Sequence, residues 1–114
     1  MKFTNDGKQI KFMHEDKLGG DVTYFSIRDD QTLVIEQVFV DPSLRGQGIA
    51  QQLMVEMLTY AKNQNKKIYP LCPYAQVYLT KHPEYQFLID PQIPVDDQTK
   101  NSLQEMEQNN NGTK

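Results

Sequence analysis

A mixed α/β domain of one layer of sheet and a few helices is predicted by three observations. Three short β-rich runs in the first forty residues are joined by connections too short for anything but hairpins. One long apolar stripe at helical spacing follows them. A further short apolar run then closes a strand–helix–strand crossover, whose two strands should be parallel neighbours. The expected order is β-β-β-α-β-α-β, over residues 1–90.

The first strand is expected at residues 9–13, where apolar residues fall near alternate positions. The second is Val22 to Ile27, rich in β-branched and aromatic residues, with Gly19-Gly20 before it and Asp29-Asp30-Gln31 after it as turn chemistry. The third, Leu33 to Val40, is the strongest candidate. Asp41-Pro42-Ser43 stops it, because proline offers no amide and disfavours helix at the residue before it. Ile49, Ala50, Leu53, Met54, Met57, Leu58 and Ala61 then recur every three or four residues, which is the core-facing stripe of a helix. Asn63, Gln64 and Asn65 suit its end. Residues 66–72 read as a short strand, splayed or cut short by Pro70. Pro73 suits a first helical position, opening a two-turn helix through Lys81. Residues 85–89 are expected as a last strand. From Pro91 the apolar signal fades, and residues 91–114 read as a mostly disordered, flexible tail in which a weak helix around Leu103 and Met106 is conceivable.

With 114 residues the chain has room for one modest core. Net charge is −3, and residues 1–90 hold ten Lys/Arg against eleven Asp/Glu, so no basic face is offered to a nucleic-acid backbone. The single cysteine, Cys72, cannot form an internal disulfide, and it and the two histidines, His14 and His82, lack metal-site spacing. No signal peptide and no run of apolar residues fit to span a membrane is seen, so a soluble cytoplasmic protein without metal is expected.

The chemistry is expected between the third strand and the long helix. Gly46 and Gly48 flank Gln47 just before the apolar stripe begins. The first amides of a helix have no partner inside it and sit at the positive end of its dipole. Glycines let that backbone approach a phosphate, and Arg45 adds a fixed charge. A lone G-x-G is a weak signal, more often a tight turn with a helix start. The loop is neither the dinucleotide fingerprint, which needs a third glycine, nor a phosphate loop of the Gly-Lys-Ser/Thr type.

The longer string Val38-Phe39-Val40-Asp41-Pro42-Ser43-Leu44-Arg45-Gly46-Gln47-Gly48-Ile49-Ala50, followed by Leu53, resembles the acetyl-CoA-binding segment of the GNAT superfamily of N-acetyltransferases. Arg45, Gly48 and Ala50 meet that family's pattern. Pro70-Leu71-Cys72-Pro73-Tyr74 and the His-Pro-Glu-Tyr stretch at residues 82–85 resemble its small, compact single-domain members. Those often carry His-Thr where this chain has Gln37-Val38, which leaves no histidine role on that strand. The resemblance covers roughly residues 8–90. It implies a GNAT-like mixed sheet with splayed parallel strands. It also implies an acetyl-CoA-dependent N-acetyltransferase with a small-molecule or protein amine as acceptor. A module that binds acyl-CoA without efficient turnover is the alternative. The resemblance further implies that backbone groups of Val38 and Val40, with Phe39 between them, would bond the pantetheine arm. The amides of Arg45, Gly46, Gln47, Gly48, Ile49 and Ala50 would hold the pyrophosphate. The thioester would lie in the gap between the strands ending at Val40 and Cys72.

Acetyl transfer needs a neutral amine, a donor for the oxyanion and a proton for the departing thiolate. The resemblance makes Tyr78 the candidate acid, on the helix after the splayed strand; it reads equally as a core tyrosine. Cys72 could be a nucleophile with a thiolate favoured by the helix beginning at Pro73, could line the acetyl pocket, or could be an inert buried residue. Glu36 stands in an apolar strand, on the side of Val34, Val38 and Val40 by simple alternation, and could be a base or a polar residue on an open face. Tyr74 could shape the pocket or close it.

Overall fold

The structure is a computed structural model whose described backbone spans residues 2–112, with side chains described through residue 105. Five strands form one sheet in sequential order: β1 (Lys2–Asn5), β2 (Gln9–His14), β3 (Lys17–Ile27), β4 (Thr32–Val40) and β5 (Lys67–Pro70). The first four are antiparallel. β4 and β5 are parallel, joined by helix α1 (Ile49–Asn63) as the crossover. Helix α2 (Pro73–Lys81), a 3-10 turn (Pro83–Leu88) and helix α3 (Asp97–Gly112) complete the chain. The mixed α/β expectation is met.

α1 forms where its stripe predicts. Ile49, Leu53, Met54, Met57, Leu58 and Ala61 are all buried, and Ala50 is half-buried. They pack on Ile10, Phe12, Val22, Tyr24, Leu33 and Ile35, the inward residues of β2, β3 and β4. The opposite sheet face carries a smaller cluster of Val34, Tyr69 and Leu71, covered by Leu103 of α3 and Ile93. Thus the tail expected to be mostly without order runs as a helix over 97–112, the alternative considered around Leu103; Met106 lies outside the described side chains. Leu103 is the reason it docks, since it buries its side chain where that face of β4 and β5 would otherwise meet water.

The segment leading into α3 is tied down by Asp90. Its buried carboxylate accepts from Thr32 Oγ1 at 2.6 Å, from the Gln92 amide at 2.9 Å and from Arg28 Nη1 at 2.5 Å. Burial pushes its pKa up, but those donors outweigh it and hold the carboxyl below the usual aspartate value.

Four local expectations are corrected. Strand β1 precedes the first predicted strand. It is joined to β2 through Asp6, Gly7 and Lys8, where Asp6 Oδ1 accepts the amides of Lys8 and Gln9 and Gly7 has φ +91°. Gly19-Gly20 is not a turn but lies inside β3. The turn is Glu15-Asp16, both in the left-handed region, and Gly19 is the extra residue of a bulge opposite Phe12 and Met13. A Cβ on Gly20 would lie 2.6 Å from the Phe39 carbonyl oxygen, so the strands themselves require glycine there. Residues 85–89 are not a strand. Pro83 starts a 3-10 turn that Gln86 Nε2 secures to the Leu79 carbonyl, and one bridge, Ile68 to Ile89, is all the pairing left.

The fourth correction bears on the site. Thr23 pairs with Gln37 while Tyr24 pairs with Ile35, so Glu36 is the extra residue of a bulge in β4. Alternation breaks there. Val34 faces the α3 side, whereas Val38 and Val40 pack toward α1. Glu36 therefore does not share a face with Val34, Val38 and Val40 as simple alternation predicts.

Candidate functional site

The parallel ladder between β4 and β5 is short. Its partners run from Thr32 and Lys67 to Ile35 and Pro70. The Ile35 carbonyl then accepts two successive amides, Leu71 and Cys72, each at 3.1 Å. Beyond that point β4 continues for five residues, Glu36 to Val40, while the other chain turns away into α2. Pro70, with no amide, and Pro73, at the first position of α2, direct that departure.

Which backbone groups of β4 face the opened side follows from the antiparallel ladder. The Asp41 amide donates to Gly19 O at 2.8 Å, so Asp41 and, two residues back, Phe39 turn their groups toward β3. Val38 and Val40 turn theirs the other way, to the side β5 has vacated. Arg45 Nε reaches Val40 O at 3.4 Å, a long contact.

The loop after β4 is shaped by Asp41 and two glycines. Asp41 Oδ1 accepts from both the amide and the hydroxyl of Ser43, which holds the short 3-10 turn Pro42–Leu44. Those bonds hold the Asp41 carboxyl below its usual pKa. Gly46 and Gly48 have φ +85° and +78°, and a Cβ on either would meet no atom within 4 Å. Space is not what demands glycine there; the left-handed backbone is. Gly48 is the N-cap of α1 and no side chain caps it. The first helical bond runs from Gln52 N to Gly48 O at 3.1 Å, leaving the amides of Ile49, Ala50 and Gln51 without intrahelical partners.

These elements enclose a cleft of about 390 Å³. Residues 38–40 of β4 form its floor, with Leu44, Arg45, Gly46 and residues 48–51 along one bank. Tyr74, from the first turn of α2, lines the cleft as well. The structure thus brings together eight of the nine expected cofactor-binding residues: Val38, Phe39, Val40, Arg45, Gly46, Gly48, Ile49 and Ala50. Gln47 does not line the cleft. Leu44 and Gln51 were missed, and spacing could have found Gln51, whose amide is the third in the helix.

The three candidate catalytic residues do not line this cleft. Tyr78, one turn after Tyr74, is buried, and its ring stacks on His82 with centroids 4.0 Å apart. His82 Nδ1 in turn lies 2.8 Å from the Tyr78 carbonyl oxygen. Burial, then the neighbouring Tyr85, Tyr74 and Glu84, push the Tyr78 pKa up, so its hydroxyl is protonated throughout the neutral range. Cys72 is buried at the N-cap of α2, and its Sγ accepts the Ala75 amide at 3.4 Å. Glu36 is half-buried in the bulge. Among the described residues there is no group of three or more His, Cys, Asp or Glu that could hold a metal, and no helix is long and apolar enough to cross a membrane.

Residues 9–88 match the family described as GCN5-related N-acetyl-transferase. No curated protein matches the chain. Among solved structures, a GCN5-like protein from Staphylococcus aureus superposes with a TM-score of 0.64 at 22% identity, over 78% of this chain and 87% of that one. A GNAT family acetyltransferase from Elizabethkingia anophelis, with acetyl-CoA bound, gives 0.50 at 22% identity over 64% and 50%. N-acetylglutamate synthase from Neisseria gonorrhoeae, complexed with coenzyme A and N-acetyl-glutamate, gives 0.56 at 13% identity over 65% of this chain and 18% of its own. The chain spans most of the first of these and half or less of the other two. At such identities these likenesses speak for the fold; the match over residues 9–88 speaks for more. The chain is an acetyltransferase of the GCN5-related N-acetyltransferase family.

Proposed function

We propose that the protein transfers an acetyl group from acetyl-CoA to an amine of a small molecule or a protein. The observation that carries this is the coincidence of a parted strand pair with an uncapped helix start along one cleft. The uncapped amides of Ile49, Ala50 and Gln51, beside Gly48 and Gly46, would receive the pyrophosphate, and Arg45 would add charge at its mouth. The groups of Val38 and Val40 that face the vacated side would bond the pantetheine arm as an added strand would. The thioester would then reach the region beyond Ile35, where Leu71 and Cys72 turn away.

At that point a hydroxyl that stays protonated suits the departing thiolate, and Tyr78 is the group we assign. Its raised pKa keeps it a donor, and it lies one turn along α2 from Tyr74, which lines the cleft. Cys72 suits a structural role better than a nucleophilic one, because its sulfur already accepts the Ala75 amide and is buried. Glu36 is the candidate base: bulged residues re-aim their side chains, and this one interrupts β4 at the point of parting.

A second reading, a module that binds acyl-CoA without efficient turnover, draws on the absence of Tyr78, Cys72 and Glu36 from the cleft lining. One assay separates the two. Free thiol released from acetyl-CoA is followed with a panel of primary amines. Amine-stimulated release with stoichiometric acetylated product supports transfer. Saturable binding of coenzyme A with no stimulated release by any amine supports the module. Failure to bind coenzyme A at millimolar concentration removes both.

A further inference from the structure

Tyr74 belongs to neither the glycine loop nor the candidate acid–base groups, yet it stands in the cleft. The residue is 37% exposed, although its ring lies next to that of the buried Tyr78. The surfaces that share the cleft with it include Val38, Val40, Ile49 and Ala50, all apolar side chains. Its aim is fixed by the start of α2. Pro73 sets the first helical φ, Cys72 Sγ caps the Ala75 amide, and the Leu71 and Cys72 amides anchor that start to Ile35 of β4. A long aromatic side chain held this rigidly, with about a third of its surface uncovered over a slot, is arranged to be covered by a ligand.

We infer that Tyr74 is a positioning residue that clamps the pantetheine arm of coenzyme A against β4, through its ring and not its hydroxyl. This rests on the coenzyme A reading above and gives the cleft its second bank, on the α2 side. The diphosphate is held at the other bank by the loop, so the two halves of the ligand should respond separately to substitution. Covering the remaining ring surface is worth roughly a 10- to 30-fold gain in affinity.

The test is calorimetric titration of the full-length wild type, Tyr74→Ala, Tyr74→Leu and Tyr74→Phe, each checked for folding by circular dichroism. Two ligands are used: coenzyme A, and adenosine 3′-phosphate 5′-diphosphate, which keeps the diphosphate and lacks pantetheine. The expected result is that Tyr74→Ala binds coenzyme A roughly 10- to 30-fold more weakly and the fragment as the wild type does. Tyr74→Phe should match the wild type with both, and Tyr74→Leu should fall between. In the thiol-release assay, Tyr74→Ala should raise KM for acetyl-CoA and leave kcat within about twofold. Unchanged coenzyme A affinity in Tyr74→Ala overturns the clamp while the coenzyme A reading stands. Equal losses for both ligands overturn it in favour of a structural role. Loss in Tyr74→Phe overturns the assignment to the ring. A wild type that binds neither ligand overturns the clamp together with the reading it rests on.

Discussion

The carbonyl of Ile35 accepts the amide of Cys72 at 3.1 Å as well as that of Leu71, and at this atom β4 and β5 part company. One acceptor serving two donors lets β5 turn into α2 without stranding an amide. Glu36, the next residue on β4, is bulged, and the bulge turns Val38 and Val40 toward α1. The opened cleft is therefore a product of pairing geometry.

The left-handed backbone at Gly48 gives the first prediction. Gly48→Val should be strained by about 1–2 kcal/mol, since a β-branched residue is poorly suited to φ +78°. It should fold, because nothing lies within 4 Å of the added carbon. Coenzyme A binding should fall by at least 100-fold in calorimetry, while the circular dichroism spectrum is kept.

Gly20 behaves in the opposite way. It does not need a positive φ, but its neighbour is backbone: the Phe39 carbonyl oxygen lies 2.6 Å from where a Cβ would be. Gly20→Ala should destabilise the fold by about 2–4 kcal/mol in urea denaturation, because β3 and β4 must separate to admit it.

Asp90 supplies a pH dependence. Its folded pKa is depressed, so it contributes stability at pH values above the unfolded aspartate value of about 4. That contribution is lost as pH falls through the folded pKa, when the carboxylate held by Thr32 and Arg28 is protonated. Asp90→Asn should cost about 1–3 kcal/mol at neutral pH, with Arg28 partly exposed and its share discounted. The difference between variant and wild type should shrink below pH 4, which melting curves across pH 3–7 will read.

Leu103 tests the tail. Its side chain completes the cluster of Val34, Tyr69 and Leu71, and Lys100 Nζ donates to Gln76 Oε1 at 3.1 Å nearby. Leu103→Ala should lower stability by about 2 kcal/mol and increase amide exchange in residues 97–105. Coenzyme A affinity should be unchanged, because the cleft lies outside that cluster.

How much of this could be read in the residues depends on the kind of signal. The stripe from Ile49 to Ala61 is legible because a helix buries one face, and every turn repeats the message. The glycine loop is legible because glycine has few reasons to recur before a helix. The bulge at Glu36 is not legible, since a two-residue period carries no mark of where it slips; the register with β3 decides it. Gly19 and Gly20 read as a turn because turns are glycine's usual use. Here Phe12 and the Phe39 carbonyl, distant in sequence, require them. α3 was faint because mainly Leu103 among its described residues supplies the apolar contact, and the surface it meets is built from β4 and β5. That Tyr74 lines the cleft while Tyr78, four residues on, is buried was not legible, because the aim of their short helix is set by where the strands part.

The most direct measurement is a ¹⁵N–¹H correlation spectrum of the full-length protein titrated with coenzyme A. The account predicts saturable shifts, largest at the amides of Gly46, Gly48, Ile49, Ala50 and Gln51, with Val38 and Val40 following and α3 unaffected. No shift at millimolar coenzyme A, or shifts centred on the separate pocket around Lys62, Lys66 and Phe87, would contradict it.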